Sequence, residues 1–235
     1  MPSSRREVKN ETRTLPQVVI PALNAARFLG RTLAALDGAA ALVVDGGSRD
    51  STEAVARAGG ARVISAPRGR GSQLAAGVAA AVAVTGAEWL LLLHADTVLA
   101  PGWVGPVQAH MAAGTGRAAY FRFALDSPDP RARRLERLVA WRCRVLALPY
   151  GDQGLLISRA LLDAVGGIRP LPLMEDVDLV QRVGRARLLA LPVDAVTSAE
   201  RWEQEGWRRR SLRNLSCLAL WFAGVPPRMI ARLYG

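Results

Sequence analysis

The amino-acid sequence predicts an α/β fold: a mostly parallel central sheet flanked by helices, with a basic helical extension at its C-terminal end. Three observations predict it. Short apolar runs and helical stretches alternate four times from Gln17 onward, joined by short loops, and that alternation requires a parallel sheet covered on both faces. Polar residues follow each apolar run: Asn24, then Asp45, then Arg68 and Arg70, then His94 and Asp96. Half of the 235 residues are hydrophobic and 22% are charged, which supports a sizeable core and excludes a disordered or fibrous chain.

The elements follow in order. Residues 1–14 are polar, charged and unpatterned, and are expected to form a flexible tail. Gln17–Ile20 reads as a strand stopped by Pro21, and Ala25–Leu36 as a helix. Ala41–Val44 is a second strand, and Ser48–Ala58 a helix with Ser48 as its cap. Ala61–Ser65 is a third strand, Gly71–Val84 an alanine-rich helix, and Glu88–Leu93 a buried parallel strand. Pro101 suits the first turn of the next helix. Beyond about residue 115 the rhythm changes. Arg117–Leu125 is a strand, Pro130–Arg144 a helix, Gly154–Ile157 a strand, Ser158–Val165 a helix and Leu188–Val196 a strand. A second basic helix occupies Trp207–Gly235. No repeat or linker interrupts the chain, so residues 15–200 are expected to form one domain and 201–235 an amphipathic extension of it.

The net charge of +11 is local. Pro130–Arg144 carries six arginines against Glu136, and Trp207–Gly235 carries six arginines and no acid, which accounts for the whole excess. Leu135, Leu138, Val139, Val145 and Leu146 approximate one helical face, as do Leu212, Leu215, Leu218, Ala219 and Phe222. Three readings follow: a surface for anionic lipid headgroups or a phosphorylated partner, a solvated arginine face, or a homodimer through Leu212–Tyr234. No nucleic-acid-binding motif is present. No apolar stretch approaches the ~20 residues that span a bilayer, and the first twenty residues carry no apolar leader. Cys143 and Cys217 make no disulfide or zinc pattern. The expected setting is therefore a reducing cytoplasm, with peripheral attachment to the inner face of the plasma membrane as the lipid-surface reading of the basic helices.

Gly69-Arg70-Gly71 follows a strand and opens a helix, but Leu74 stands where a dinucleotide fingerprint needs glycine, and no P-loop is present. The helix N-terminus still offers free N–H groups to an anion, and Arg68 and Arg70 add forks suited to phosphate oxygens. Asp96, leaving a buried strand into a cleft, needs a positive partner. A divalent ion shared with a diphosphate is a natural one, and His94 points to the same side. Glu175, Asp176 and Asp178 open a helix after a proline-bracketed loop; three acids exceed what dipole complementation needs, and one can serve as a general base. Gly151-Asp152-Gln153-Gly154 is a glycine-flanked polar turn suited to hydrogen bonding a polyol.

Taken together, Val19–Asn24, Val43–Thr52, His94–Asp96 and Glu175-Asp176 resemble the family-2 glycosyltransferases with the A-type nucleotide-sugar fold, over roughly residues 16–200. The closest likeness is to small bacterial members with PRGRxxQ, LHADT, YGDQG, PLMEDVDL and TSAxRW stretches, here beginning at Pro67, Leu93, Tyr150, Pro172 and Thr197. The resemblance implies a nucleotide-binding half near 15–115 and an acceptor half near 116–200. It implies that Pro21, Ala22, Asn24 and Asp45 bind the nucleoside, that Arg70 faces the diphosphate, with Arg68 and Gln73 also in the nucleotide-sugar site, and that Asp96, with His94 beside it, holds Mn2+ or Mg2+. It implies that Asp176 is the catalytic base for inverting attack, with Asp152, Gln153, Glu175, Arg201 and Trp202 around the acceptor. The sequence departs from the family pattern at Ala25, Gly46 and His94, each where an acidic residue is usual, and the glutamine of a QxxRW element is absent before Arg201-Trp202. The implied partners are a nucleoside diphosphate sugar and a hydroxyl acceptor, a lipid-linked one included. The rival readings are a sugar-phosphate nucleotidyltransferase and a nucleotide-binding or membrane-adaptor protein without turnover.

Overall fold

A computed structural model of the chain describes residues 14–114 and 116–234; the predicted tail lies outside the described residues except for Thr14. Among the described residues the strands are β1 (Gln17–Ala22), β2 (Ala41–Asp45), β3 (Arg62–Ser65), β4 (Trp89–Leu92), β5 (Thr97–Leu99), β6 (Ala118–Asp126), β7 (Leu155–Ser158) and β8 (Leu188–Ser198). The helices are α1 (Ala26–Ala34), α2 (Thr52–Ala58), α3 (Arg70–Thr85), α4 (Val104–Ala112), α5 (Pro130–Leu146), α6 (Arg159–Ala164), α7 (Glu175–Val183), α8 (Glu200–Glu205), α9 (Trp207–Phe222) and α10 (Pro227–Tyr234).

One sheet of order β3-β2-β1-β4-β7-β6-β8-β5 joins all the strands. The first four are parallel. The sheet reverses direction where β4 meets β7, and β6 and β8 form one more parallel pair. Alternate side chains of the first strands feed two cores. Val18, Ile20, Val43 and Leu91 face α1, α2 and α4 on one side. Val19, Leu42, Val44, Leu90 and Leu92 face α3, α6 and α7 on the other. Burial on both faces explains why these strands read as continuous apolar runs. A Cβ on Gly77 would lie 2.5 Å from Val19 and 2.6 Å from Val44, so α3 rests directly on the sheet.

Several boundaries differ from the predicted ones. Pro21 does not stop β1; it pairs with Val44 inside the strand. The Leu93 N–H donates to the Val19 carbonyl, and the β1–β4 ladder ends at Val19. Pro21 thus turns its missing N–H toward the side of β1 where no partner strand remains. Helix α2 starts at Thr52 because Ser48 is spent in the turn after β2, where it donates to Asp45. Pro101 lies before α4, separated from it by Gly102 at φ +85°. Strand β5 and helix α8 were not legible, and the second basic helix is two helices broken around Gly224. Both basic helices also turn differently from the expected apolar faces. α5 buries Ala132, Val139 and Cys143 and exposes Leu138, Val145 and Leu146. α9 buries Trp207, Arg210, Cys217 and Leu218 and exposes Leu212, Leu215 and Phe222.

Candidate active site

A cleft of about 320 Å³ runs along the carboxyl ends of β1 and β4, where open α/β sheets bind ligands. Pro21, Ala22, Asn24, Arg68, Arg70, Gln73, His94 and Asp96 line it, joined by Phe28, Leu173, Arg201 and Tyr234. A second cavity of about 130 Å³ shares Arg70, His94, Asp96, Arg201 and Tyr234 with the first. It adds Tyr150, Asp152, Asp176, Trp202, Arg210 and Asn214. Asp96 and Asp176, eighty positions apart in sequence, therefore open onto one cavity.

On the first side, several expected ligand-binding groups hold the rim together instead. The Asp45 carboxylate is buried and accepts from the backbone N–H of Gly47 and Ser48, both at 2.8 Å, and from the Ser48 hydroxyl at 2.5 Å. It does not line the cleft. Gln73 Nε2 donates to the carbonyls of Ala22 (2.8 Å) and Val44 (2.7 Å), tying β1 to β2. Its amide lies 3.1 Å from where a Cβ of Gly46 would stand, so the glycine in place of the usual aspartate leaves room for this tie. Asn24 sits at φ +49°, a conformation asparagine tolerates. Its Oδ1 accepts from the Arg49 N–H and its N–H donates to Ser48, both at 2.8 Å. Arg68 is exposed and makes no ion pair among the described residues.

Arg70 is held in place from two sides. Its Nε pairs with Glu175 Oε1 at 2.7 Å, and its Nη1 donates to His94 Nε2 at 3.1 Å. Because a guanidinium only donates, His94 Nε2 must accept, which leaves the ring proton on Nδ1. Burial, then the charges of Arg70 and Arg201, hold the imidazole pKa well below its usual range. In this arrangement the ring's one acceptor nitrogen is taken up by Arg70, so His94 orients Arg70 and offers no free lone pair to a cation. Asp96 fits that role: it is half-buried, faces both cavities, and its carboxylate takes no hydrogen bond or ion pair among the described residues. The described residues contain no cluster of three or more His, Cys, Asp or Glu able to hold a metal alone. A cation here would draw its other ligands from a diphosphate and water.

On the second side, the structure sorts three neighbouring acids by partner. Glu175 is buried against Arg70 and does not line the second cavity. Asp178 is buried between Arg169 and Arg182, at 2.8 Å and 2.6 Å. Asp176 alone lines the cavity; its Oδ2 accepts from the Gly151 N–H and its Oδ1 from the Val177 N–H, both at 2.8 Å. Met174 at φ +65° makes the sharp entry that aims this first turn inward. Gly151 packs so closely that a Cβ would lie 2.5 Å from His94 Nε2.

Gln153 was expected at the acceptor but is buried in the core of the turn. Its Oε1 accepts from the Tyr150 N–H at 3.2 Å and Nε2 donates to the Phe121 carbonyl at 3.0 Å. Asp152 does line the cavity; burial, then the charge of Asp176, raises its pKa to about 6. One of its oxygens is buried without a hydrogen-bond partner. Arg201 lines both cavities, and Trp202 walls the second, stacked on Trp207 at 6.0 Å with Arg210 over its ring. Phe28, Tyr150, Arg210, Asn214 and Tyr234 were not anticipated. Tyr234 reaches both cavities from α10, more than 130 residues after Asp96, and no local pattern announces that return.

The solved structures that resemble this one include glucosyl-3-phosphoglycerate synthase from Mycobacterium tuberculosis. Its complex with Mn2+ and UDP-glucose is 22% identical, with a TM-score of 0.58 over 89% of this chain and 79% of that one. Its complex with Mn2+, UDP and glucosyl-3-phosphoglycerate is 23% identical, with a TM-score of 0.52 over 77% of this chain and 70% of that one. These likenesses establish the fold, that of the A-type glycosyltransferases. No curated protein matches the sequence. The family model described as Glycosyl transferase family 2 matches residues 17–170. With that match spanning well over half of the chain, the protein belongs to glycosyl transferase family 2.

Proposed function

We propose that the protein transfers a hexosyl group from a nucleoside diphosphate sugar to a hydroxyl acceptor by single displacement with inversion. The shared cavity of Asp96 and Asp176 carries this reading, because a diphosphate beside Asp96 would lie in the same cavity as a second carboxylate that has no ion-pair partner among the described residues. The cleft that continues from it past Arg70 and Arg68 takes the nucleotide, with Phe28 offering an aromatic face. Arg70, braced by Glu175 and His94, and Arg201 meet the negative charge that grows on the leaving diphosphate. Asp176 accepts the acceptor proton as the hydroxyl attacks, held in position by the Gly151 N–H. Asp96 would hold Mn2+ or Mg2+, as supported by its unpartnered carboxylate; the bound ion supplies charge neutralisation at the diphosphate. The Mn2+, Mg2+ and UDP complexes of the structural relatives point the same way.

Thermal shift with a panel of nucleoside diphosphates, with and without Mn2+, tests the donor side. One diphosphate should raise the melting temperature in a Mn2+-dependent way, since ligand that binds only the folded state stabilises it. Asp96→Ala should abolish the Mn2+ dependence; a response that survives in this variant would remove Asp96 from the cation site. Incubating nucleoside triphosphate with sugar phosphate and finding pyrophosphate would overturn transfer in favour of nucleotidyl chemistry.

A further inference from the structure

Helices α5 and α9 expose apolar stripes that a protein of this size would ordinarily bury. On α5, Leu138 is 64% exposed and Trp141 51%, and they continue at helical spacing to Val145. On α9, Leu212 (65% exposed), Leu215 (62%) and Phe222 (58%) do the same, and on α10, beyond the break at Gly224, Met229 and Leu233 are exposed four positions apart. Residues three and four apart share a helix face, so these are continuous stripes and not scattered side chains.

The charges beside the stripes decide what could cover them. Exposed Arg134 and Arg137 flank the α5 stripe, and exposed Arg208 and Arg209 begin the α9 stripe. No acid occurs from Trp207 to Gly235. The one acid of α5, Glu136, is turned inward, bound to Arg133 and the Leu125 N–H. A second copy docked on the same face would set arginines against arginines with no carboxylate between them. An anionic bilayer surface satisfies both features: arginines meet phosphates while Leu, Trp and Phe enter the headgroup boundary. The two helices meet at Trp207, which shares a core cluster with Val139 and Cys143 of α5. Their inner sides border the acceptor cavity: Arg142 covers Tyr150 at 3.4 Å, and Arg210 and Asn214 line the wall.

We infer that the outer faces of α5 and α9–α10 form a docking surface for anionic phospholipid membranes. No helix among the described residues is long and apolar enough to cross a bilayer, so the attachment is interfacial. It stands independently of the transfer chemistry.

Flotation of the full chain with phosphatidylcholine vesicles, with and without phosphatidylglycerol, tests it at low and high salt. Binding should require phosphatidylglycerol and weaken with salt. Arg208→Ala with Arg209→Ala should weaken it about fivefold per arginine. Leu212→Ser with Leu215→Ser should weaken it tenfold or more while leaving the melting temperature and the nucleotide response unchanged. Quenching by bromolipids should fall in Trp141→Phe. No binding at low salt, equal binding to phosphatidylcholine alone, or full binding by these variants would overturn the proposal. So would a lipid-free dimer that the Leu212 and Leu215 substitutions dissociate, which would assign the face to a second copy.

Discussion

The two sides of the catalytic cleft are built by different rules. On the proposed donor side, most polar groups follow a strand of the parallel half: Asn24 after β1, Arg68 and Arg70 after β3, His94 and Asp96 after β4, with Asp45 bracing the rim after β2 and only Arg201 and Tyr234 arriving from α8 and α10. These groups come to one edge although the strands stand in the order β3-β2-β1-β4, because a parallel sheet lays its carboxyl ends along one edge. On the proposed acceptor side, the wall comes from the turn before β7, the first turn of α7, and α8, α9 and α10. These segments lie far apart in sequence and meet only because the sheet reverses at β7 and the C-terminal helices fold back. The family model matches residues 17–170, which takes in the first side and the turn before β7 and ends before Asp176.

The largest test of this division is Asp176→Asn. It should lower turnover by about 10²–10⁴-fold, the usual worth of a general base, while the nucleoside diphosphate affinity stays within about twofold of the parent. Steady-state rates and titration calorimetry separate the two, and a parallel loss of nucleotide binding would merge the two sides. Gly71→Ala attacks their junction. Its Cβ would lie 2.5 Å from the Leu171 carbonyl oxygen and 2.6 Å from the Leu171 nitrogen, backbone atoms with no easy retreat. A loss of about 2–3 kcal/mol is expected, read as a melting temperature roughly 5–10 °C lower.

Asp152→Asn probes the acceptor side by pH. The folded state keeps this carboxyl protonated up to about 6, against 3.8 in an unperturbed aspartate. Between those values the folded chain holds the extra proton, so stability falls as pH rises through the window and stays lower above it. The asparagine variant should therefore gain on the order of 3 kcal/mol at neutral pH, with the gain shrinking toward about pH 4. Melting curves across that range decide it; a uniform gain would mean that Asp152 ionises normally. The smallest contrast lies within one turn of α5. Val139→Ala should cost about 2 kcal/mol in chemical denaturation, whereas Leu138→Ser should fall within about 0.5 kcal/mol of the parent. Comparable losses at both positions would mean that the α5 stripe is packed after all.

The donor edge was legible because it depends on local alternation, and β1, β2, β4 and α3 lie within two residues of their expected bounds. Which polar groups remain free was not legible. Gln73, Gln153 and Glu175 have the chemistry of ligand-binding residues, yet each is consumed by a protein partner. Sequence spacing carries no information on that choice, since the partners of Gln153 and Glu175 lie as much as 32 and 105 positions away. Asp176 and Asp178 are two residues apart in one helix, and only packing made one a cavity carboxylate and the other an ion-pair anchor.

From sequence alone, this protein has a doubly covered sheet, a charged carboxyl edge, and two basic amphipathic segments. Those properties rest on short-range periodicity and on the sign of charge, which survive any packing arrangement. The tertiary structure decided which face of each basic segment is buried, and it brought Tyr234 back to the cleft. It also reserved Asp96 and Asp176 for the cavity. Each of these outcomes depends on which side chains compete for the same partner, and that competition exists only once distant segments are in contact.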